Sequence, residues 1–217
     1  MNLKKYLAEM FGTFVLVFAG TAVATSTGNA LYTALAFGLV VIAMAYSIGS
    51  ISGAHLNPAV SFGLALNKRI TWKDFGFYVL FQIIGALLAS LLLSLVLGSR
   101  ASLAGNQAQT AISQNLWFAL IIEIVITAVF LFVILSVTSK KENDHVAGFV
   151  IAFTLAVMIL TSFNLSSAGL NPARSIAPAL LEGGGALDQL WVFIVGPLVG
   201  AFLGQSFFKF LNNKITI

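Results

Sequence analysis

The residues in this chain best suited to chemistry form a tripeptide that occurs twice, as Asn57-Pro58-Ala59 and Asn171-Pro172-Ala173. Proline is favoured at the first helical position because its missing N–H costs nothing there, and asparagine is a good N-cap. Each motif therefore predicts a helix start, with helices over residues 58–66 and 172–181. If the asparagine carbonyl caps the helix, its amide N–H groups can donate hydrogen bonds elsewhere.

The elements that carry these motifs are expected to lie in a membrane. Of the 217 residues, 59% are hydrophobic and only 8% are charged, and the mean hydropathy is +1.00. This composition is typical of a polytopic membrane protein. Six apolar runs are long enough to cross a bilayer, at residues 6–25, 30–48, 75–97, 116–137, 146–163 and 190–211. The two helices after the motifs are too short to cross it.

The basic residues lie mainly in connections on one side of these spans. This positive-inside bias predicts that both termini are cytoplasmic. It also argues against nucleic-acid binding, which the pI of about 9.5 would otherwise suggest. The short termini favour a bacterial inner membrane.

The two halves of the chain repeat one pattern. Glu9 and Glu123 lie at the same distance before the asparagine of their own motif. Each half has three spans and one half-helix, so the second half must enter the membrane from the opposite face. We therefore expect a single transmembrane domain over 1–217, built as an inverted repeat of residues 1–110 and 111–217. The polar stretch 98–115 is expected to be an external linker.

An inverted repeat would bring the N-termini of the two half-helices together near the midplane. Two positive dipole ends would then point at one spot and repel cations, including protons. Non-helical backbone within a membrane is tolerated only where it is buried or lines water. These points favour a pore over a pair of helix caps with no further role.

Taken together, these features resemble the aquaporin (major intrinsic protein) superfamily over essentially the whole chain. The resemblance is carried by SGAHLNPAV, by NPARS and by the paired glutamates of the first and fourth spans. It implies an all-α membrane protein with six transmembrane helices and two re-entrant half-helices. It also implies a homotetramer with one pore per subunit, each a passive channel for water and small uncharged solutes.

The resemblance also assigns roles to residues around the motifs. Asn57 and Asn171 would donate hydrogen bonds to the passing molecule. Backbone carbonyls before each motif would accept them, those of Gly53, Ala54, His55 and Leu56 and of Ser167, Ala168, Gly169 and Leu170. Glu9 and Glu123 would hold the re-entrant loops, whose N–H groups can satisfy an intramembrane carboxylate. A proton relay is the alternative role for the two carboxylates, and His55 is expected to pack within its loop.

The narrow filter of the family falls here on Phe37, Ile159, Ala168 and Arg174. Arg174 would donate to a solute oxygen and repel cations. Strict water channels usually carry His where this chain has Ile159, so a wider and more amphipathic opening is expected. These four filter residues look most like those of the nodulin-like branch, which the family associates with glycerol and neutral metalloid hydroxides. Ile194 also resembles that branch. Ser175 and Ala179 instead resemble water channels.

Three other functions stay open from the sequence: a strict water channel, a coupled secondary transporter and a structural protein with a closed pore. A transporter also uses broken helices, but the loops between residues 48 and 68 and between 161 and 181 contain no Asp or Glu. No catalytic set of side chains is recognisable, so we expect no enzyme activity, no cofactor and no metal. The expected partners are water, neutral solutes, the bilayer and other copies of this chain.

Overall fold

A computed structural model describes residues 2–98, 103–108 and 115–212; residue 1 and residues 99–102, 109–114 and 213–217 lie outside the described part. The α-helices are α1 (Leu3–Thr27), α2 (Ala30–Ser52), α3 (Pro58–Leu66), α4 (Trp72–Leu97), α5 (Leu116–Val137), α6 (Asp144–Ser166), α7 (Pro172–Glu182), α8 (Gly184–Asp188) and α9 (Val192–Asn212). A 3₁₀ turn, Lys141–Asn143, precedes α6.

Within the described ranges, six helical segments are long and apolar enough to cross a bilayer, those of α1, α2, α4, α5, α6 and the stretch of α8 and α9. The predicted all-α fold with six spans is confirmed. Several spans start or end up to a helical turn away from their predicted bounds, because hydropathy marks only the apolar part of a helix. Helix α4, for example, begins after Thr71, whose side chain accepts a hydrogen bond from the backbone N–H of Asp74.

The short helices after the two motifs begin at the predicted residues. Asn57 and Asn171 are the N-caps of α3 and α7, each with proline at the first helical position. Helix α3 also ends where predicted, at Leu66, and α7 extends one residue beyond its predicted end, to Glu182. The local chemistry of Asn-Pro is therefore enough to set both helix starts.

The bundle is apolar outside and carries its polar groups inside. Leu95, Phe153 and Phe210 are among many large apolar side chains exposed on its outer surface, whereas Glu9 and Glu123 are fully buried. This distribution suits a protein surrounded by lipid, where the hydrocarbon solvates apolar side chains and ionisable groups face the interior. The chain is therefore a multi-pass integral membrane protein.

Two glycines allow close helix crossings at matching places in the two halves. A Cβ on Gly85 of α4 would lie 2.1 Å from the carbonyl oxygen of Met10 in α1, and a Cβ on Gly200 of α9 would lie 2.4 Å from that of Ile124 in α5. Small residues let membrane helices approach closely. Because Met10 and Ile124 directly follow the two buried glutamates, these crossings fix the helix turns that carry both carboxylates.

We expect Gly85→Ala to lower the free energy of unfolding by about 1–3 kcal/mol, because its methyl group would force α1 and α4 apart. Gly76→Ala in the same helix is the matched control, since a Cβ there meets nothing within 4 Å. Thermal unfolding of both variants in detergent gives the comparison. Equal melting temperatures would contradict the close crossing at Gly85.

Candidate functional site

The backbone before each motif leaves helical geometry and turns into the interior of the bundle. Six residues there have positive φ angles: Gly53, Ala54 and Leu56 in the first loop and Ser167, Ala168 and Leu170 in the second. For a residue other than glycine this conformation costs on the order of 1 kcal/mol. Both loops, 53–57 and 167–171, therefore need partners that hold their exposed N–H and C=O groups.

Glu9 supplies those partners to the first loop. Its Oε1 accepts hydrogen bonds from Ser52 Oγ at 2.6 Å and the His55 backbone N–H at 2.9 Å. Its Oε2 accepts from the Leu56 N–H and from Gln82 Nε2, both at 2.8 Å. Four donors around one fully buried carboxylate satisfy its acceptor sites. The first loop is therefore held by a side chain from α1.

Glu123 of α5 binds the second loop in the same way. It accepts from Ser166 Oγ at 2.6 Å and from the backbone N–H groups of Gly169 and Leu170, each at 2.8 Å. The serine and the two N–H groups occupy the same positions relative to the motif as those bound by Glu9. Charge-assisted hydrogen bonds of this kind are roughly twice as strong as neutral ones.

The two motif asparagines join the halves of the chain. The Oδ1 of Asn57 accepts from the Ala59 N–H at 2.8 Å, while its Nδ2 donates to the Leu170 carbonyl at 2.9 Å. The Oδ1 of Asn171 accepts from the Ala173 N–H at 3.0 Å, while its Nδ2 donates to the Leu56 carbonyl at 2.8 Å. Each amide caps its own helix, bonds to the opposite loop and keeps one N–H for another partner.

Some of the carbonyls that the resemblance assigns to the solute also accept hydrogen bonds from the protein. The carbonyls of Leu56 and Leu170 already accept from the asparagines, that of Gly169 accepts from the Asn171 N–H at 2.6 Å, and that of Ser167 accepts from Asn106. Within the described ranges, no protein donor reaches the other four carbonyls, those of Gly53, Ala54, His55 and Ala168. All eight residues except Ser167 line the larger cavity, and a carbonyl that accepts one hydrogen bond keeps a second lone pair.

Two cavities meet inside the bundle. The larger one, about 330 Å³, is lined by both loops and both motif asparagines, and the smaller one is about 120 Å³. Four residues line both cavities: Phe37, Ile159, Ala168 and Arg174. The Cζ atom of Arg174 lies 5.7 Å from the centre of the Phe37 ring. The residues predicted for the filter therefore form the boundary between the two cavities.

Arg174 is buried and is held by a segment that the sequence predicted only as a linker. Its Nη1 donates to Asn106 Oδ1 at 2.5 Å and its Nη2 donates to the Ala104 carbonyl at 2.9 Å. The Asn106 Oδ1 also accepts from Ser175 Oγ at 2.8 Å, and its Nδ2 donates to the Ser167 carbonyl at 2.8 Å. Asn106 thus connects the linker, the second loop and α7.

The sequence analysis missed Asn106 because its polar, Gly-rich surroundings favour exposure, whereas the residue is only 2% exposed. One signal could have found it: a buried arginine needs acceptors, and the loops contain no Asp or Glu. Glu182 was missed as well. Its carboxylate accepts from the N–H groups of Leu103 and Gly105 and ties the segment 103–108 to the end of α7.

The remaining chemistry of the interior is limited. Among the described residues, no group of three or more His, Cys, Asp or Glu side chains is arranged to hold a metal ion. His55 lies in the first loop, with Nδ1 3.0 Å from Ser61 Oγ and its ring 4.9 Å from that of Tyr78. The arrangement can thus donate and accept hydrogen bonds along a cavity.

Comparison with known proteins gives matches along nearly the whole chain. The family model described as Major intrinsic protein matches residues 1–208. A glycerol uptake facilitator protein-like 6 from Lactiplantibacillus plantarum is 46% identical, over 98% of this chain and 100% of that protein. Aquaporin Z from Rhodopseudomonas palustris is 41% identical, over 100% of this chain and 96% of that protein.

A solved structure supports the fold. The X-ray structure of the aquaglyceroporin from Plasmodium falciparum has a TM-score of 0.81 against this chain, with 24% sequence identity and 96% of each chain covered. At 24% identity, this similarity supports the fold alone. Together with the family match and the two curated relatives, it gives one conclusion: the chain belongs to the major intrinsic protein family, the aquaporin superfamily.

Proposed function

We propose that this protein is a passive channel for water and small uncharged solutes such as glycerol, and that it excludes protons and other ions. The observation that carries the proposal is the boundary of Phe37, Ile159, Ala168 and Arg174 between the two cavities. It combines a fixed guanidinium with three apolar walls and no carboxylate. The names of the relatives, a glycerol uptake facilitator and an aquaporin, support the same function.

The hydrogen-bonding groups along the larger cavity suit a neutral, hydroxyl-bearing molecule. Arg174 and the free N–H groups of Asn57 and Asn171 are donors, whereas the free carbonyls of the two loops are acceptors. The N-termini of α3 and α7 add two partial positive charges where the asparagines meet. A neutral solute can exchange its water shell for these groups, but a cation meets positive charge at both the motifs and Arg174.

The apolar side of the boundary favours solutes larger than water. Ile159 and Ala168 add aliphatic surface to the same boundary as the donors of Arg174, so the CH groups of a polyol can lie against the aliphatic side chains while its hydroxyls bond to the guanidinium. We propose glycerol on this ground, and neutral metalloid hydroxides as further candidates. A strict water channel is the second candidate, since the Phe37 ring lies beside the guanidinium and narrows the opening.

The proposal extends to assembly and orientation. Residues 1–110 and 111–217 are proposed as two inverted repeats of one channel domain, supported by the matching contacts of Glu9 and Glu123 and by the matching crossings at Gly85 and Gly200. We also propose a homotetramer in a bacterial inner membrane with both termini cytoplasmic, without enzyme activity or a cofactor. The side of the basic connections supports this orientation.

Stopped-flow light scattering of liposomes tests the function. After a shift to an impermeant osmolyte, we expect fast shrinkage; after a shift to glycerol, we expect fast shrinkage followed by fast re-swelling. Shrinkage without re-swelling would favour the strict water channel. Flux that saturates and collapses with an ionophore would contradict a passive channel and point to a coupled transporter, and liposomes no faster than empty ones would point to a closed pore.

Asn106→Asp tests how Arg174 is held. A carboxylate in place of the amide would pair with the guanidinium, so we expect the proton leak, divided by the water permeability of the same vesicles, to rise about tenfold (~1.4 kcal/mol). Gln189→Ala is the matched control, because Gln189 binds the same segment through the Ala108 N–H without touching Arg174. Identical ratios for both variants and the wild type would contradict this role of Asn106.

A further inference from the structure

The larger cavity has a second arginine that the filter does not use. Arg69 and Ile70 lie in the connection between α3 and α4, and both line this cavity together with Thr138. Helix α3 starts at the first motif and has nine residues, a length of about 14 Å. Arg69 therefore lies roughly a half-helix away from the motif asparagines, and Arg174 lies beside them at the boundary with the smaller cavity.

The guanidinium of Arg69 is fixed by several contacts. Its Nη1 donates to Thr138 Oγ1 at 2.5 Å, its Nη2 to the Leu135 carbonyl at 3.0 Å and its Nε to Asn67 Oδ1 at 3.1 Å. Its Cζ lies 5.9 Å from the centre of the Phe208 ring. Leu135 and Thr138 lie at the C-terminal end of α5, where the helix dipole attracts a cation. Arg69 thus holds a defined position.

The positive charge of Arg69 has no acidic partner in the part of the chain that the structure describes. All three acceptors are neutral, and the salt bridges found there join Lys5 to Asp74 and Lys140 to Glu142. Partial burial lowers the pKa of the Arg69 guanidinium, yet arginine stays protonated in proteins. Among the residues lining the larger cavity, Arg69 and Arg174 are the charged ones, and none is Asp or Glu.

We infer that Arg69 is a second specificity-determining residue, a fixed cation that opposes the entry of cations at the mouth of the cavity remote from Arg174. This inference rests on the proposed channel function. Arg174 and Arg69 would act as two electrostatic barriers in series, and the larger barrier determines the rate at which cations leak through. Arg69 therefore becomes visible where Arg174 has been removed, and its charge matters more than the hydrogen bonds that it makes.

The test is the proton leak of Arg174→Val liposomes with and without a second substitution. Vesicles of neutral phosphatidylcholine enclose a pH-sensitive dye, and a potassium diffusion potential drives the protons; each leak is divided by the water permeability of the same preparation. We expect Arg69→Gln with Arg174→Val to leak at least about threefold more than Arg174→Val alone. Arg69→Lys combined with Arg174→Val keeps the positive charge but loses the three hydrogen bonds of the guanidinium. Vesicles with this double variant should leak no more protons than vesicles with Arg174→Val.

Each result decides between the inference and its rivals. Equal leaks for the Gln double variant and Arg174→Val would overturn it, and so would an equal rise with Lys, which would assign Arg69 a purely structural role. If the Gln variant does not fold, Arg69→Met, similar in length and uncharged, carries the same expectation. Wild-type liposomes without water flux would refute the channel itself, whereas normal wild-type flux with no added leak refutes this inference alone.

Discussion

The whole arrangement depends on two carboxylates that satisfy backbone N–H groups in the interior of a membrane protein. Backbone N–H and C=O groups within a bilayer need partners in the protein, and helices supply these for most of the chain. The loops 53–57 and 167–171 are not helical and need other partners. Glu9 and Glu123 each bind two consecutive loop N–H groups and the serine that ends the preceding helix. Without them, neither loop could keep its left-handed residues in place.

The other features of the site follow from this constraint. Close crossings at Gly85 and Gly200 bring the glutamate-bearing turns into the centre of the bundle. Once the loops are fixed, Asn57 and Asn171 start their helices and bond to each other's loop. The loop residues whose carbonyls are not used in this way, Gly53, Ala54, His55 and Ala168, line the larger cavity. The same hydrogen bonds that stabilise the loops thereby hold in place the carbonyls that we propose as acceptors for a solute.

The buried carboxylates and the buried guanidinium of Arg174 have different surroundings. The carboxylates are surrounded by donors and lie behind the loops, where they stabilise structure. The guanidinium of Arg174 is bound by neutral acceptors, Asn106 and the Ala104 carbonyl. A carboxylate in that place would cancel its charge, whereas an amide and a carbonyl fix its geometry and add no negative charge. This is why an asparagine in a polar linker matters to the proposed exclusion of cations.

The sequence predicts those features that local chemistry or hydropathy controls. The Asn-Pro pairs predict both half-helix starts, and the apolar runs predict the six spans, although polar caps such as Thr71 place some helix ends outside them. The bonds from each asparagine to Leu56 or Leu170 could not be predicted, because they depend on how distant halves of the chain pack. Asn106 was missed for a related reason: its burial follows from contacts with α7 and the second loop, not from its neighbours in sequence.

The most direct test of this account is the osmotic water permeability of Glu123→Gln in liposomes, compared with the wild type at equal protein content. In the wild type, the donors of the second loop share the two oxygens of the Glu123 carboxylate, whereas the glutamine amide offers them a single oxygen. Each charge-assisted hydrogen bond that is lost costs about 1.5–3 kcal/mol. We predict unchanged helix content by circular dichroism and at least about tenfold lower permeability, because the second loop no longer holds Asn171 and Arg174 in place. Wild-type permeability and an unchanged melting temperature would contradict the claim that the Glu123 carboxylate holds the second loop in place.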